Sequence, residues 1–208
     1  MSLYSRLDTV SAMMADENDV DVSPEAIVWP LERLARLTRA REHDDGLNPA
    51  QWEALRYLDR ANRYSNSPGA LTQFLGATKG TISQTLMSLE RKGCIAKSAR
   101  AGEKRSVVLE LTSQGKTMLA KDPWKHLASA VDDLGNKTRR RLAKGLKELL
   151  EGELQRGRHK SFGLCSSCRF FREKGRSADL AGPHHCMLLN VPLSTADSQR
   201  ICVEHEAA

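Results

Sequence analysis

Residues 68–93, PGALTQFLGATKGTISQTLMSLERKG, decide the fold. The turn Ser65-Asn66-Ser67-Pro68-Gly69 leads into a short helix carrying Leu71, Phe74 and Leu75. Gly76-Ala77-Thr78 then separates it from a longer helix that turns Ile82, Leu86 and Leu89 inward. That helix stops at Lys92-Gly93, with glycine in its usual C-terminal place. A short helix, a tight turn and a longer helix form the arrangement that lays a recognition helix into the major groove of DNA. With the apolar residues inward, Lys79, Thr81, Ser83, Gln84, Thr85 and Ser88 fall on the outer arcs. These are mostly short hydroxyl and amide side chains, suited to base edges and phosphates.

Downstream the hydrophobic period changes. Cys94 to Ser98 reads as a strand, 99–103 as a glycine-bearing turn, and Arg105 to Leu111 as a second strand with Val107, Leu109 and Leu111 on one side. Lys97, Arg100, Lys104 and Arg105 make this hairpin basic, as a wing that reaches the backbone or minor groove would be. Upstream, Asn48 to Gln51 has capping-box spacing, and Trp52, Leu55 and Leu58 supply a buried stripe. An earlier helix begins at Ser23-Pro24-Glu25, carries Ile27, Leu31, Leu34 and Leu37, and is interrupted at Pro30, where a kink or a second start is expected. After the wing, Thr112 or Ser113 caps a helix. From Asp122-Pro123 the pattern is helical almost to Gly157, with a stripe of Leu142, Leu146, Leu149, Leu150 and Leu154.

The expected fold is therefore mainly α with a small β-hairpin wing: a winged helix-turn-helix with a helical dimerisation region and a small C-terminal metal-binding appendage. We divide the chain into an N-terminal arm (1–22), a winged-helix and dimerisation domain (23–158) and a cysteine appendage (159–208). Of its 208 residues 40% are hydrophobic and 28% charged, with a formal net charge of +6, a balance compatible with nucleic-acid binding. No run approaches the roughly eighteen apolar residues of a membrane span. Asp16, Glu17, Asp19 and Asp21 stand where the apolar core of a signal peptide would be, so a cytoplasmic location is expected.

The runs NPAQWEALR (48–56), TISQTL (81–86) with LERKG (89–93), and VVLELTSQG (107–115) resemble the MarR family of bacterial transcription regulators, over about residues 24–155. The resemblance implies a homodimer built from the first and last helices, reading a near-palindromic site on double-stranded DNA. It also implies that Thr81, Ser83 and Gln84 occupy recognition-helix positions and that Arg105 is the basic residue at the base of the wing. The chain departs from the family at the wing, where Arg100 and Gly102 replace the usual Asp and Arg.

Cys165, Cys168, Cys186 and Cys202 are spaced C-x2-C-x17-C-x15-C, in a chain with only one other cysteine, Cys94. In a reducing compartment such clustered thiols point to metal ligation before disulfides. A structural zinc site favours paired knuckles, and only the first pair has one. An iron–sulfur cluster accepts a pair plus distant singles, and Phe162, Leu164, Phe170, Phe171, Met187, Leu188, Leu189, Ile201 and Val203 offer an apolar shell. The segment is similar to the cluster-binding part of high-potential iron–sulfur proteins. The favoured cofactor is an iron–sulfur cluster (4Fe-4S before 2Fe-2S), with zinc and a metal-free thiol–disulfide switch as alternatives. His184, His185 and His205 read as neighbours of ligands, and Cys94 as a small buried residue.

No glycine-rich cofactor motif and no Ser/His/Asp set is present, so an enzyme is not expected. The leading reading is a repressor whose operator binding follows redox state, oxygen or iron through the cluster. A regulator with structural zinc and a small-molecule effector is the second. The third is a redox protein that uses the winged helix for protein docking.

Overall fold

The capping box forms as its spacing requires: Asn48 Oδ1 accepts the Gln51 amide at 2.9 Å, and Gln51 Oε1 accepts the Asn48 amide at 3.1 Å. It opens α2 (Pro49–Arg60), whose Trp52, Leu55 and Tyr57 are fully buried. This computed structural model describes residues 21–43, 45–100, 103–175 and 182–208, without the side chains of 100 and 103–105. The expected arm at 1–22 thus lies almost wholly outside the described residues. The chain forms two compact units, 1–40 and 41–208.

The first unit contributes α1 (Glu25–Ala40), one continuous helix that runs through Pro30 without a second start. Ile27, Val28, Trp29, Leu34 and Leu37 remain exposed on it. In the second unit α2 is followed by α3 (Pro68–Leu75), α4 (Lys79–Arg91), the antiparallel hairpin β1 (Ile95–Arg100) and β2 (Glu103–Leu111), and α5 (Ser113–Ala120). Both strands run farther toward the tip than expected, with a bulge at Ala99/Arg100. Gly115 is required where α5 meets the wing: an added Cβ would lie 2.1 Å from the Cys94 carbonyl oxygen.

The helical stretch after Asp122 is two helices, not one. α6 (Pro123–Asp132) ends at Asp133, and Gly135 begins α7 (Asn136–Arg156). No residue of α6 or α7 is buried, and Leu142, Leu146, Leu149 and Leu150 stand exposed along α7. The start of α6 is tied to α2 by ions: Arg56 bridges Glu42 (2.8 Å) and Asp122 (3.0 Å), and Trp124 Nε1 donates to Glu42 Oε1 at 3.3 Å. Arg56 also sits over the Trp124 ring at 5.8 Å. No described helix is long and apolar enough to cross a membrane.

The cysteine segment has little regular structure: a 3-10 turn at Cys165–Ser167, then β3 (Phe171–Arg172), β4 (His184–Cys186), β5 (Val191–Leu193) and the one-turn α8 (Thr195–Ser198). The three strands form one antiparallel sheet. Packing makes this segment continuous with the winged helix. Phe162 and Val203 belong to the same core as Trp52, Leu71 and Leu89. Phe162 meets Phe74 edge-on at 5.1 Å and Tyr57 at 6.1 Å. Its backbone is left-handed (φ 46), which costs a bulky residue on the order of 1–3 kcal/mol. Burying the ring against two aromatics offsets that cost.

Candidate functional site

α4 owes its position to its neighbours. Gly76, left-handed at φ 60, ends α3, and the Thr78 hydroxyl caps α4 by accepting the Thr81 amide at 3.1 Å. Ile82, Leu86 and Leu89 then lock one face into the core. Lys79, Thr81, Ser83 and Gln84 face solvent on the other, unobstructed by any described segment. Thr85, expected on the outer arc, is turned inward and is 8% exposed. Its hydroxyl donates to the Thr81 carbonyl at 3.0 Å, the back-bond that draws a helical threonine toward its own backbone.

Ser88 is half-buried, and its hydroxyl accepts Gln51 Nε2 at 2.8 Å. Gln51 therefore does more than close the capping box. It also ties α2 to α4, a role the sequence pattern did not show. Lys97 on the wing pairs with Glu90 of α4 at 2.7 Å. The side chains of Arg100, Lys104 and Arg105 lie outside the described residues.

The thiol site begins where α2 ends. Cys165 and Cys202 are buried, while Cys168 and Cys186 are half-buried. Cys165, Cys202 and Leu193 form a small cluster lined by Tyr64, Phe171 and Cys186. The Cys168 amide donates to the Cys165 carbonyl at 3.0 Å, closing the turn between the first pair. Asn62 Nδ2 donates to Cys165 Sγ at 3.2 Å. Hydrogen bonding between the Cys165 and Cys202 thiols lowers the Cys202 pKa against the opposing effect of burial. The same hydrogen bond, helped by burial, pushes Cys165 well above the ordinary thiol range.

The expected apolar shell is only partly realised. Phe171 lines the cluster, but Leu164, Met187, Leu188 and Leu189 are exposed, and Phe162 and Val203 serve the winged-helix core. Leu193 and Tyr64, absent from the expected shell, take their place. Each of the three histidines His184, His185 and His205 makes a hydrogen bond away from the thiols, although His185 Nδ1 is buried without a partner. His205 meets Ser161 Oγ at 2.7 Å through Nδ1 and Ser167 Oγ at 3.0 Å through Nε2. His184 Nδ1 accepts the Lys174 amide at 3.2 Å, and His185 Nε2 pairs with Asn190 at 3.1 Å. Cys94 lies in the core, where burial raises its pKa.

The donor set bears on which inorganic centre fits. Among the described residues, no three His, Cys, Asp or Glu side chains gather closely enough to hold a single ion. Zinc, with bonds of about 2.3 Å to each sulfur, requires such a gathering. A cluster separates its thiolates across a larger body and welcomes N–H and O–H donors to sulfur. Asn62 supplies one such donor, to Cys165.

No curated protein matches the chain significantly. Among solved structures, a MarR transcriptional regulator from Methanosarcina mazei Go1 is 22% identical, with a TM-score of 0.51, covering 63% of this chain and 98% of its own. MepR of S. aureus in its DNA-binding conformation is 17% identical, with a TM-score of 0.50 over the same shares. Residues 45–106, which hold the helix-turn-helix and reach into the wing, match the model of the MarR family. The helix-turn-helix and wing described above thus have the MarR-type winged-helix fold.

Proposed function

We propose that the chain is a homodimeric transcription regulator, a repressor, that binds double-stranded DNA through α4 and the wing. Its hold on DNA is conditioned by an iron–sulfur cluster on Cys165, Cys168, Cys186 and Cys202. One observation carries the DNA half: Lys79, Thr81, Ser83 and Gln84 stand in solvent on a helix whose opposite face is fixed in the core. Ser83 and Gln84 suit base edges, while Lys79 suits phosphates. The bare leucine stripe of α7 and the exposed apolar residues of α1 suit burial against a second copy. Two copies related by a two-fold axis present two α4 helices to a near-palindromic operator. When bound, the cluster supplies a redox- and oxygen-sensitive group. The chain's part is to hold the thiolates, donate to their sulfurs and exclude water with Leu193, Phe171 and Tyr64.

A duplex selected by the protein from a random pool is the probe. Replacing Ser83 and Gln84 together by alanine costs about 1–3 kcal/mol of affinity, and Lys79→Ala lowers the salt slope by about one, with thermal stability unchanged. Equal affinity in the double variant sinks the DNA reading. Anaerobic reconstitution with iron and sulfide gives a brown protein that Cys186→Ser leaves colourless. A colourless wild type carrying stoichiometric zinc replaces the cluster with the structural alternative.

A further inference from the structure

The turn at residues 61–67 touches the thiol site, the wing and the helix-turn-helix at once. On the thiol side, Asn62 Nδ2 donates to Cys165 Sγ. The Asn62 amide donates to the Ile201 carbonyl at 3.0 Å, and the Ser65 hydroxyl accepts the Val203 amide at 2.9 Å. These contacts grip the chain on both sides of Cys202. On the DNA side, the Asn66 carbonyl accepts the Leu109 amide of β2 at 2.8 Å. The Ser67 hydroxyl caps α3 by accepting the Ala70 amide at 3.2 Å. The turn is internally stiff: the Ser65 amide donates to the Asn62 carbonyl, and the buried Tyr57 hydroxyl donates to the Ser65 carbonyl at 2.6 Å.

Resting on the reading above, we propose that Asn62 and Ser65 are positioning residues that couple the state of the cysteine centre to the wing and α3. A ligated sulfur stays in one place: Cys165 presents thiolate charge to the Asn62 donor, and Cys202 keeps the neighbouring Val203 donor on Ser65. Once released, a cysteine side chain is free to turn to another rotamer, and the donors lose their acceptors. Asn62 and Ser65 are 1% and 0% exposed, so neither has water to turn to. A buried donor left without a partner is costly, and the turn relieves that cost by rearranging. Any rearrangement moves the Asn66 carbonyl and the Ser67 cap, and with them the hairpin and the first helix of the DNA-reading pair. The coupling thus runs within one protomer, through a continuous set of hydrogen bonds.

The test compares protein reconstituted with iron and sulfide against chelator-stripped protein, using the selected duplex. Stripping weakens the wild type by about 5- to 150-fold, the usual range of such couplings. Asn62→Asp keeps an oxygen for the Tyr64 amide, which Asn62 Oδ1 accepts at 3.0 Å, but removes the donor to Cys165. Ser65→Ala removes the acceptor of the Val203 amide beside Cys202. In both variants visible absorption reports loading, and the ratio of loaded to stripped affinity falls to near one. Asn62→Asp also lowers the midpoint potential, because an anion near sulfur disfavours the added electron; a purely structural role would leave it unmoved.

Should either variant fold poorly, amide exchange in the wild type decides. Stripping accelerates exchange at Leu109 and Ala70 and spares Leu89 in the core of α4. Unchanged exchange at Leu109, or variants that respond to stripping as the wild type does, overturns the coupling while leaving the cluster in place. A wild type whose affinity ignores stripping overturns the proposed conditioning and this inference together.

Discussion

α4 is held by Ile82, Leu86 and Leu89 within a broad apolar core, whereas the cysteine segment keeps a buried cluster only of Cys165, Leu193 and Cys202. Its strands are two or three residues long. Much of what fixes it is borrowed from α2 and the turn after it: the Phe162 ring, the Arg63–Asp197 ion pair at 2.9 Å and the Tyr64 hydroxyl on the Pro192 carbonyl at 3.0 Å. The difference teaches that apolar burial does most to fix the DNA-facing half. The thiol half depends on a few specific bonds. A region so built is suited to responding, because the loss of one group removes a large share of what orders it.

The strongest way to break this comparison is Phe162→Ala. It removes an aromatic ring from the shared core and costs about 3–5 kcal/mol in chemical denaturation. Proteolysis after Gly157 should rise sharply while α2–α4 stay protected. If both halves loosen alike, they are not the distinct regimes described. Gln51→Ala should cost less, about 1–2 kcal/mol, from the lost capping bond and the orphaned Ser88 contact. Because Gln51 joins α2 to α4, the loss belongs to the winged helix, and the visible spectrum of reconstituted protein should not change. Glu90→Ala has the smallest effect. The partly exposed Lys97–Glu90 pair is worth at most about 1 kcal/mol. Removing Glu90 should leave stability nearly constant and modestly raise DNA affinity at low salt, by releasing Lys97. A fall in affinity would place Glu90 in the interface itself.

The helix-turn-helix was legible because its signals are local. The Asn48–Gln51 box, the three residues from Gly76 to Thr78 and the Gly93 stop each act over one turn of chain, and each formed as read. Thr85 escaped because its outward register was overruled by its own back-bond to Thr81. The break at 133–135 escaped because apolar residues continue at helical spacing on both sides of it. The joint between the thiols and the winged helix left no trace in the sequence pattern. Ser65 read only as the start of a turn and Asn62 carried no signal, and the partners that give them meaning lie more than 100 positions away. Likewise the apolar residues beside the cysteines gave no sign of which would line the thiols and which would leave for a different core.

The Arg56 network has a practical consequence. Trp52 is sealed in the core, Trp29 stands in the open, and Trp124, though exposed, rests against the Arg56 guanidinium and donates to the Glu42 carboxylate. Intrinsic fluorescence from Trp124 therefore reports on one place, the seam where α6 leaves α2. With Trp29 changed to phenylalanine, the emission maximum becomes an optical gauge of whether that seam is shut.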